Sequence, residues 1–155
     1  MATECLVVCD AWTVPFPGDT HDFPHLADET KAFGVYLNQT LKLIRSRFDV
    51  IHVADGREIM DEINTYQDKI FPLIQDIPTH YNKYYICGFH LGRCTHGKAM
   101  TLAKLVTNNK IGIVFNLSLL FPCDDYSMMR SREWFTLYNY VHGLQGFTTD
   151  CAPKK

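Results

Sequence analysis

The chain has 155 residues, of which 46% are hydrophobic and 21% charged, as expected for one globular domain with a buried core. Its formal net charge of -2 gives no electrostatic basis for binding nucleic acid or an anionic membrane. No stretch reaches the roughly 18 apolar residues of a membrane span, and the N-terminus lacks the basic and apolar segments of a secretory signal. We therefore expect a single cytoplasmic domain over residues 1–155.

The cysteine spacing indicates neither a zinc ribbon nor a redox dithiol, because no two cysteines form a Cys-x-x-Cys pair. In a cytoplasmic protein we expect all of them to be reduced thiols. They are Cys5, Cys9, Cys87, Cys94, Cys123 and Cys151.

The first predicted element is a buried strand over residues 5–9, an apolar run without polar alternation that is typical of parallel sheets. Asp10 follows this run directly. It would then lie at the carboxyl end of the strand, where open α/β sheets bind their ligands. A capping or turn aspartate is the alternative interpretation of Asp10.

The next segment, residues 11–25, is rich in proline and is predicted to be a loop. It contains Asp19, His21 and His25, side chains that bind zinc and similar ions. No strand or helix fixes their relative positions, so we predict no metal and no cofactor.

A long amphipathic helix follows, with apolar residues at helical spacing at Phe33, Leu37, Leu41, Ile44 and Phe48. Residues 49–54 form a second predicted strand, which ends at the turn signal Asp55-Gly56. Beyond it, residues 58–67 have the pattern of a helix. Residues 70–74 are apolar, but their proline argues against a central strand.

The most informative stretch begins with a predicted strand at residues 84–87, which Gly88 interrupts. Cys94 lies near the predicted start of a helix whose apolar spacing covers residues 99–106. A thiol there would meet the positive end of the helix dipole and unpaired backbone amides, which favour the thiolate and could hold an oxyanion. The alternative is that Cys94 is a buried small hydrophobe.

The remainder predicts a strand at residues 110–116, a helix at 127–141 and a short edge strand at 147–149. Strands and helices therefore alternate along the whole chain. This alternation predicts an α/β fold with a mostly parallel sheet.

Three segments resemble the isochorismatase-like cysteine hydrolases, the superfamily of nicotinamidases and N-carbamoyl amidohydrolases. They are the opening strand with Asp10, the spacing of Gly88, Cys94 and Ala99, and the closing residues 146–150 (Gly-Phe-Thr-Thr-Asp). The resemblance implies a three-layer α/β sandwich, Rossmann-like, with a mostly parallel sheet.

The resemblance also implies a reaction, the hydrolysis of a small amide, carbamoyl or enol-ether compound. Cys94 would be the nucleophile and Asp10 the base that accepts its proton. Phe89, His90 and Arg93 are the predicted substrate contacts. The family also uses a lysine, and Lys69 is the only lysine between Asp55 and Asn82. Its setting, Gln67-Asp68-Lys69-Ile70, does not match the family motif.

Other interpretations stay open. His90 or His96 could pair with Cys94 in a cysteine–histidine site, although both are also typical solvated loop residues. Lys98 could bind an anionic substrate, but a cation at a helix start is expected to be exposed to solvent. The scaffold could also be a non-catalytic relative kept for ligand binding or assembly, and a homo-oligomer is possible. A flavodoxin-like nucleotide site is disfavoured, because no Gly-rich phosphate loop follows any predicted strand.

Overall fold

The computed structural model describes residues 2–12, 26–89, 95–107, 110–119 and 139–141. These ranges contain six strands, two α-helices and one short 3₁₀ helix. In chain order they are β1 (Glu4–Cys9), α1 (Leu26–Ile44), β2 (Asp49–Val53), β3 (Lys69–Phe71), the 3₁₀ helix (Ile74–Asp76), β4 (Lys83–Phe89), α2 (His96–Leu102), β5 (Ile111–Leu119) and β6 (Asn139–Val141).

The strands form one sheet in the order β3-β2-β1-β4-β5-β6, and each neighbouring pair is parallel. The α/β class with a mostly parallel sheet is thus confirmed. The strand order reverses between β1 and β4, which pair directly. In sheets of this kind the crevice outside the carboxyl ends of such a pair is the usual place for a ligand.

Two separate hydrophobic cores explain why β1 is an uninterrupted apolar run. Leu6 and Val8 belong to the core that α1 covers, whereas Val7 and Cys9 belong to the core that α2 covers. Because successive side chains of a strand point to opposite faces, a strand with a core on each side needs apolar residues at every position. All six residues from Cys5 to Asp10 are accordingly buried.

Several predicted elements differ from the structure. Residues 58–67 form turns and an isolated bridge instead of a helix. The helix predicted to start near Cys94 runs from His96 to Leu102, so it ends before its apolar spacing does at residue 106. Residues 139–141, predicted as the end of a helix, form strand β6 beside β5. The rest of that predicted helix and the edge strand at residues 147–149 lie outside the described ranges.

The segment around residue 70 forms a short edge strand, consistent with a proline that disfavours a central one. β3 has three residues and pairs only with β2, and Pro72 follows its last residue. Proline is tolerated at such a position because no ladder hydrogen bond is required of it there. Within the described ranges, no helix combines the length and the apolar character needed to cross a membrane.

Gly88 controls how closely β1 and β4 approach. It lies opposite Cys9 with a φ of 139°, a conformation that residues with side chains rarely adopt. A Cβ atom there would be 2.6 Å from the Cys9 amide nitrogen and closer still to its carbonyl oxygen. The absence of a side chain at residue 88 therefore lets β1 and β4 pair up to their carboxyl ends.

We expect Gly88→Ala to destabilise the fold by about 3 kcal/mol or more, since backbone strain and a backbone clash act together. Gly97→Ala is the matched control, because Gly97 is helical and exposed. Apart from its chain neighbours and its own helix backbone, a Cβ atom added to it would meet no described atom within 4 Å. The control should be neutral or raise stability by up to about 1 kcal/mol. Urea denaturation measures both, and an equal, small effect of the two substitutions would contradict this account of Gly88.

Candidate functional site

Two aspartates lie side by side at the carboxyl edge of the sheet. Asp10 follows β1 directly, and Asp55 lies two residues after β2, the neighbouring strand. Both have left-handed backbone conformations, with φ of 59° and 54°. Such angles are uncommon for residues other than glycine, and they are concentrated at functional sites. The backbone amide of Asp10 donates to the Val53 carbonyl at 3.0 Å, which ties the two strand ends together.

Lys98, in the first turn of α2, joins the two carboxylates. Its Nζ atom lies 2.9 Å and 3.1 Å from the two Asp10 oxygens and 2.8 Å from Asp55 Oδ2. The Lys98 side chain is 10% exposed, and that of Asp10 is fully buried. The sequence-based expectation of a solvent-exposed Lys98 is therefore wrong.

The sequence does contain a signal that could have predicted this burial. Lys98, Ala99 and Leu102 are all buried, and their spacing places them on one side of the helix. A lysine within the apolar face of a short helix must either extend its ammonium group to the surface or meet an acid inside. Here the carboxylates at the ends of β1 and β2 provide the acid.

The charge state of this cluster follows from its geometry. Burial by itself disfavours an ammonium group, but the nearby negative charge of Asp10 and the hydrogen bonds to both carboxylates outweigh it and raise the pKa of Lys98. The group is thus a cation at any physiological pH. It can donate hydrogen bonds and stabilise negative charge, but it is a poor nucleophile.

A buried hydrogen bond joins Phe89 and Thr95, the described residues on either side of the segment that contains His90, Arg93 and Cys94. Thr95 Oγ1 donates to the Phe89 carbonyl at 2.7 Å, and Thr95 is fully buried. The start of α2 is thereby held against the end of β4. His90, Arg93 and Cys94 lie between these two anchors in the sequence and outside the described residues, so their predicted roles stay predictions.

The side chain of Phe89 packs into the core. It is 1% exposed, and its ring meets that of Phe33 edge-on at 5.4 Å between centroids. The ring therefore anchors the end of β4 to α1. A substrate contact by Phe89 remains a prediction.

The turn after β2 builds one wall beside the cluster. Trp12 Nε1 donates to the Ala54 carbonyl at 2.9 Å, and Trp12 forms an isolated antiparallel bridge with Ile59. The Arg57 guanidinium lies 4.0 Å from the centroid of the Trp12 ring, a cation–π arrangement. This wall brings a second cation to the carboxyl edge of the sheet.

Lys69 lies at the amino-terminal edge of the sheet, opposite the carboxyl edge that holds Asp10. Its Nζ atom is 3.8 Å from Asp49 Oδ2 and 3.4 Å from the Tyr81 hydroxyl. Asp49 opens β2, whereas Asp10 follows the last residue of β1. Lys69 therefore cannot take the place of the family lysine beside Asp10.

The three described cysteines are structural. Cys5, Cys9 and Cys87 are fully buried, and burial is the main cause that raises the pKa of each thiol. They are unreactive members of the cores. Asp19, His21 and His25 lie outside the described residues, and the residues that are described contain no group of three metal-binding side chains.

A second buried charge cluster lies on the flank of β2. Arg45, just beyond α1, donates from Nε and Nη2 to the two Asp68 oxygens at 2.8 Å and 2.7 Å. His52 Nε2 lies 2.7 Å from Asp68 Oδ2, and its Nδ1 has no hydrogen-bond partner among the described residues. This cluster connects α1, β2 and the segment before β3. It lies on the flank of the sheet rather than at the carboxyl edge.

Comparisons with protein-family models, with curated proteins and with solved structures found no match to this chain. The resemblance to isochorismatase-like hydrolases is therefore carried by the sequence motifs alone. The function has to be argued from the site itself.

We expect Lys98→Met to cost about 3 kcal/mol of stability at pH 7, because it leaves the buried Asp10 carboxylate without its cation. Lys104→Met, which removes an exposed lysine just after α2, should change stability by less than about 0.5 kcal/mol. In a double-mutant cycle with Asp10→Asn, measured by urea denaturation, the double variant should lose less than the sum of the single losses. Additive losses would mean that Asp10 and Lys98 do not interact as the distances indicate.

Asp68 should make stability depend on pH in the acid range. Burial opposes its ionisation, but hydrogen bonds from Arg45 and His52 prevail and lower its pKa. The resulting stabilisation is present above the unfolded pKa, about 4, and is lost as the pH falls through the folded value. We expect Asp68→Asn to cost about 2 kcal/mol at pH 7 and to converge with the wild type as the pH falls below 4.

Urea midpoints across this pH range measure the effect, with Asp76→Asn as the control, since Asp76 is exposed. A constant gap between wild type and Asp68→Asn from pH 7 to pH 3 would contradict the assignment.

Proposed function

We propose that this chain is a cysteine hydrolase of small amide, carbamoyl or enol-ether compounds, built on an isochorismatase-like three-layer sandwich. Cys94 is the nucleophile, Asp10 accepts its proton, and Lys98 is the cation of the site. The observation that carries the proposal is the buried contact between Asp10 and Lys98 at the point where the strand order reverses.

The cost of this contact supports a chemical role. A buried ion pair is commonly no more stabilising than apolar residues of the same volume. Here the fold also holds Asp10 in a left-handed conformation, which adds strain. Neither feature is needed to build a parallel sheet. Both are understandable if a carboxylate and an ammonium must meet at the end of β1.

The position of Lys98 supports the link to Cys94. Lys98 follows Cys94 by four residues, and Thr95 between them is hydrogen-bonded to the end of β4. Phe89 and Thr95, the described residues on either side of the segment that contains Cys94, are joined by this hydrogen bond. A cation near a thiol favours the thiolate, which is the reactive form.

The reaction would proceed in two steps. Asp10 takes the thiol proton, and the sulfur attacks the electrophilic carbon of the substrate. For an amide or carbamoyl substrate, a carbon–sulfur bond forms and the bond to the leaving amine breaks, with the proton passing from Asp10 to that amine. Water then cleaves the thioester-like intermediate and regenerates the thiol. The Lys98 ammonium would stabilise the negative charge that develops in each step.

A non-catalytic relative is the second candidate, and one observation favours it. The cation beside Asp10 comes from α2, whereas the family takes its lysine from the end of a strand, and Lys69 lies at the other edge. A scaffold kept for ligand binding or assembly, including as a homo-oligomer, could retain a buried ion pair for stability alone. The reactivity of Cys94 separates the two candidates.

We expect alkylation of Cys94 by iodoacetamide to have a pH midpoint well below 8.5, the approximate value of a free thiol. Peptide mapping by mass spectrometry assigns the reaction, because the buried thiols of Cys5, Cys9 and Cys87 should not react in the native protein. Cys94→Ser is the control for the assignment. The wild type, but not Cys94→Ser, should then hydrolyse a member of a panel of small amides and carbamoyl compounds.

A midpoint at or above 8.5, or no reaction of Cys94 in the folded protein, would overturn the hydrolase proposal. It would leave the non-catalytic relative as the better description.

A further inference from the structure

The Lys98 ammonium also contacts a second carboxylate, that of Asp55, which has no part in the hydrolysis outlined above. We propose that Asp55 is a positioning residue of the site, which holds the Lys98 ammonium in place against Asp10. Its significance for catalysis rests on the proposed function. The effect of Asp55 on Lys98 can be tested whether or not the protein is a hydrolase.

The contact is short and directional. The distance of 2.8 Å between Lys98 Nζ and Asp55 Oδ2 is the shortest of the three contacts that the ammonium makes with these carboxylates. Ammonium–carboxylate hydrogen bonds of this length are charge-assisted and stronger than neutral ones. Among the described residues, Asp55 is thus the partner that can fix the free end of a long lysine side chain.

The backbone directs Asp55 toward this contact. Asp55 and Gly56 have successive left-handed conformations, with φ of 54° and 75°, and the Arg57 amide closes the turn on the Ala54 carbonyl at 2.9 Å. Apart from its two chain neighbours, no described residue has an atom within 4 Å of a Cβ position at Gly56. Trp12 also supports the turn, because its Nε1 donates to the same Ala54 carbonyl. Asp-Gly readily adopts this pair of conformations, and the turn presents the Asp55 carboxylate to the Lys98 ammonium.

The two carboxylates differ in exposure, and this defines separate roles. The Asp10 side chain is fully buried, whereas that of Asp55 is 41% exposed. The buried Asp10 is the carboxylate that the proposed function makes the proton acceptor. Asp55 lies at the solvent side of the ammonium and keeps it from turning outward into water, which a lysine on an exposed helix start would otherwise do. The cluster of two acids and one base has a net charge of -1.

The direct test is the rate at which an amine-acylating reagent modifies Lys98. Acylation requires a neutral and accessible amine, so a lysine held between two carboxylates should react slowly. We expect Asp55→Asn to accelerate acylation of Lys98 roughly tenfold at pH 9, because an ammonium that loses one of its two carboxylates is more readily neutral and accessible. Asparagine retains an acceptor oxygen, so a contact that merely packs Lys98 would survive the substitution.

Two further variants complete the design. Asp55→Glu restores the charge and should return the rate toward that of the wild type. Asp61→Asn removes an equal charge from an exposed carboxylate and should leave Lys98 unchanged. Acetylation by an N-hydroxysuccinimide ester, followed by peptide mapping, gives the rate at Lys98 together with that at Lys104, an exposed internal reference. An unchanged Lys104 rate and urea midpoint show that the fold is intact.

A Lys98 rate that stays within twofold of wild type in the folded Asp55→Asn protein would overturn the proposal. So would equal acceleration by Asp61→Asn, or a failure of Asp55→Glu to slow the reaction. Should Asp55→Asn not fold, the rate at Lys98 in Asp55→Glu decides: a rate near that of wild type supports the proposal, and a tenfold rise opposes it.

The alkylation of Cys94 in the same samples separates the two proposals. If Asp55→Asn accelerates acylation of Lys98 but the alkylation midpoint of Cys94 is that of a free thiol, the role of Asp55 is upheld and the hydrolase proposal is overturned. If Cys94 has a low alkylation midpoint but Asp55→Asn leaves the acylation rate of Lys98 unchanged, the hydrolase proposal is upheld and the role of Asp55 is overturned.

Discussion

The pairing of β1 with β4 at Cys9 and Gly88 is the contact on which the candidate site depends. Because residue 88 has no side chain, the two strands stay paired to their carboxyl ends. Asp10 therefore leaves β1 directly beside the end of β4. The neighbouring strand β2 delivers Asp55 to the same edge, and α2, which follows β4, delivers Lys98. A looser pairing at this position would separate the carboxylates from the ammonium group.

Two buried charge clusters among the described residues differ in their position relative to the strand ends. Both place an acid in contact with a base out of water, and both join segments that are far apart in the sequence. The cluster around Asp68 connects the end of α1 to β2, away from the reversal of strand order between β1 and β4. The cluster around Lys98 lies outside the strand ends at the reversal of strand order, where sheets of this kind bind ligands.

Much of the architecture could be predicted because it rests on local patterns. The apolar runs at β1, β2 and β4 predict buried strands, and the spacing of Phe33, Leu37 and Leu41 predicts α1. The predictions failed where tertiary contacts prevail over local preference. Residues 58–67 have a helical pattern, yet they form turns. Ile59 forms a β-bridge with Trp12, and the Met60 amide donates to the Ala11 carbonyl. Residues 139–141 extend because β5 offers them a free edge for pairing.

For the site, the sequence by itself determined that a carboxylate follows the first buried strand and that a glycine follows the apolar run of residues 84–87. Both are local properties of apolar runs and their ends. The prediction that this glycine ends the strand is wrong, because β4 continues through Gly88 to Phe89. Only the tertiary structure decided that Lys98 is buried and that it joins Asp10 to Asp55, because these residues are 88 and 43 positions away from it in the chain. Whether a lysine on a short helix meets water or an acid depends on which strand ends are placed beneath it, and that follows from the strand order alone.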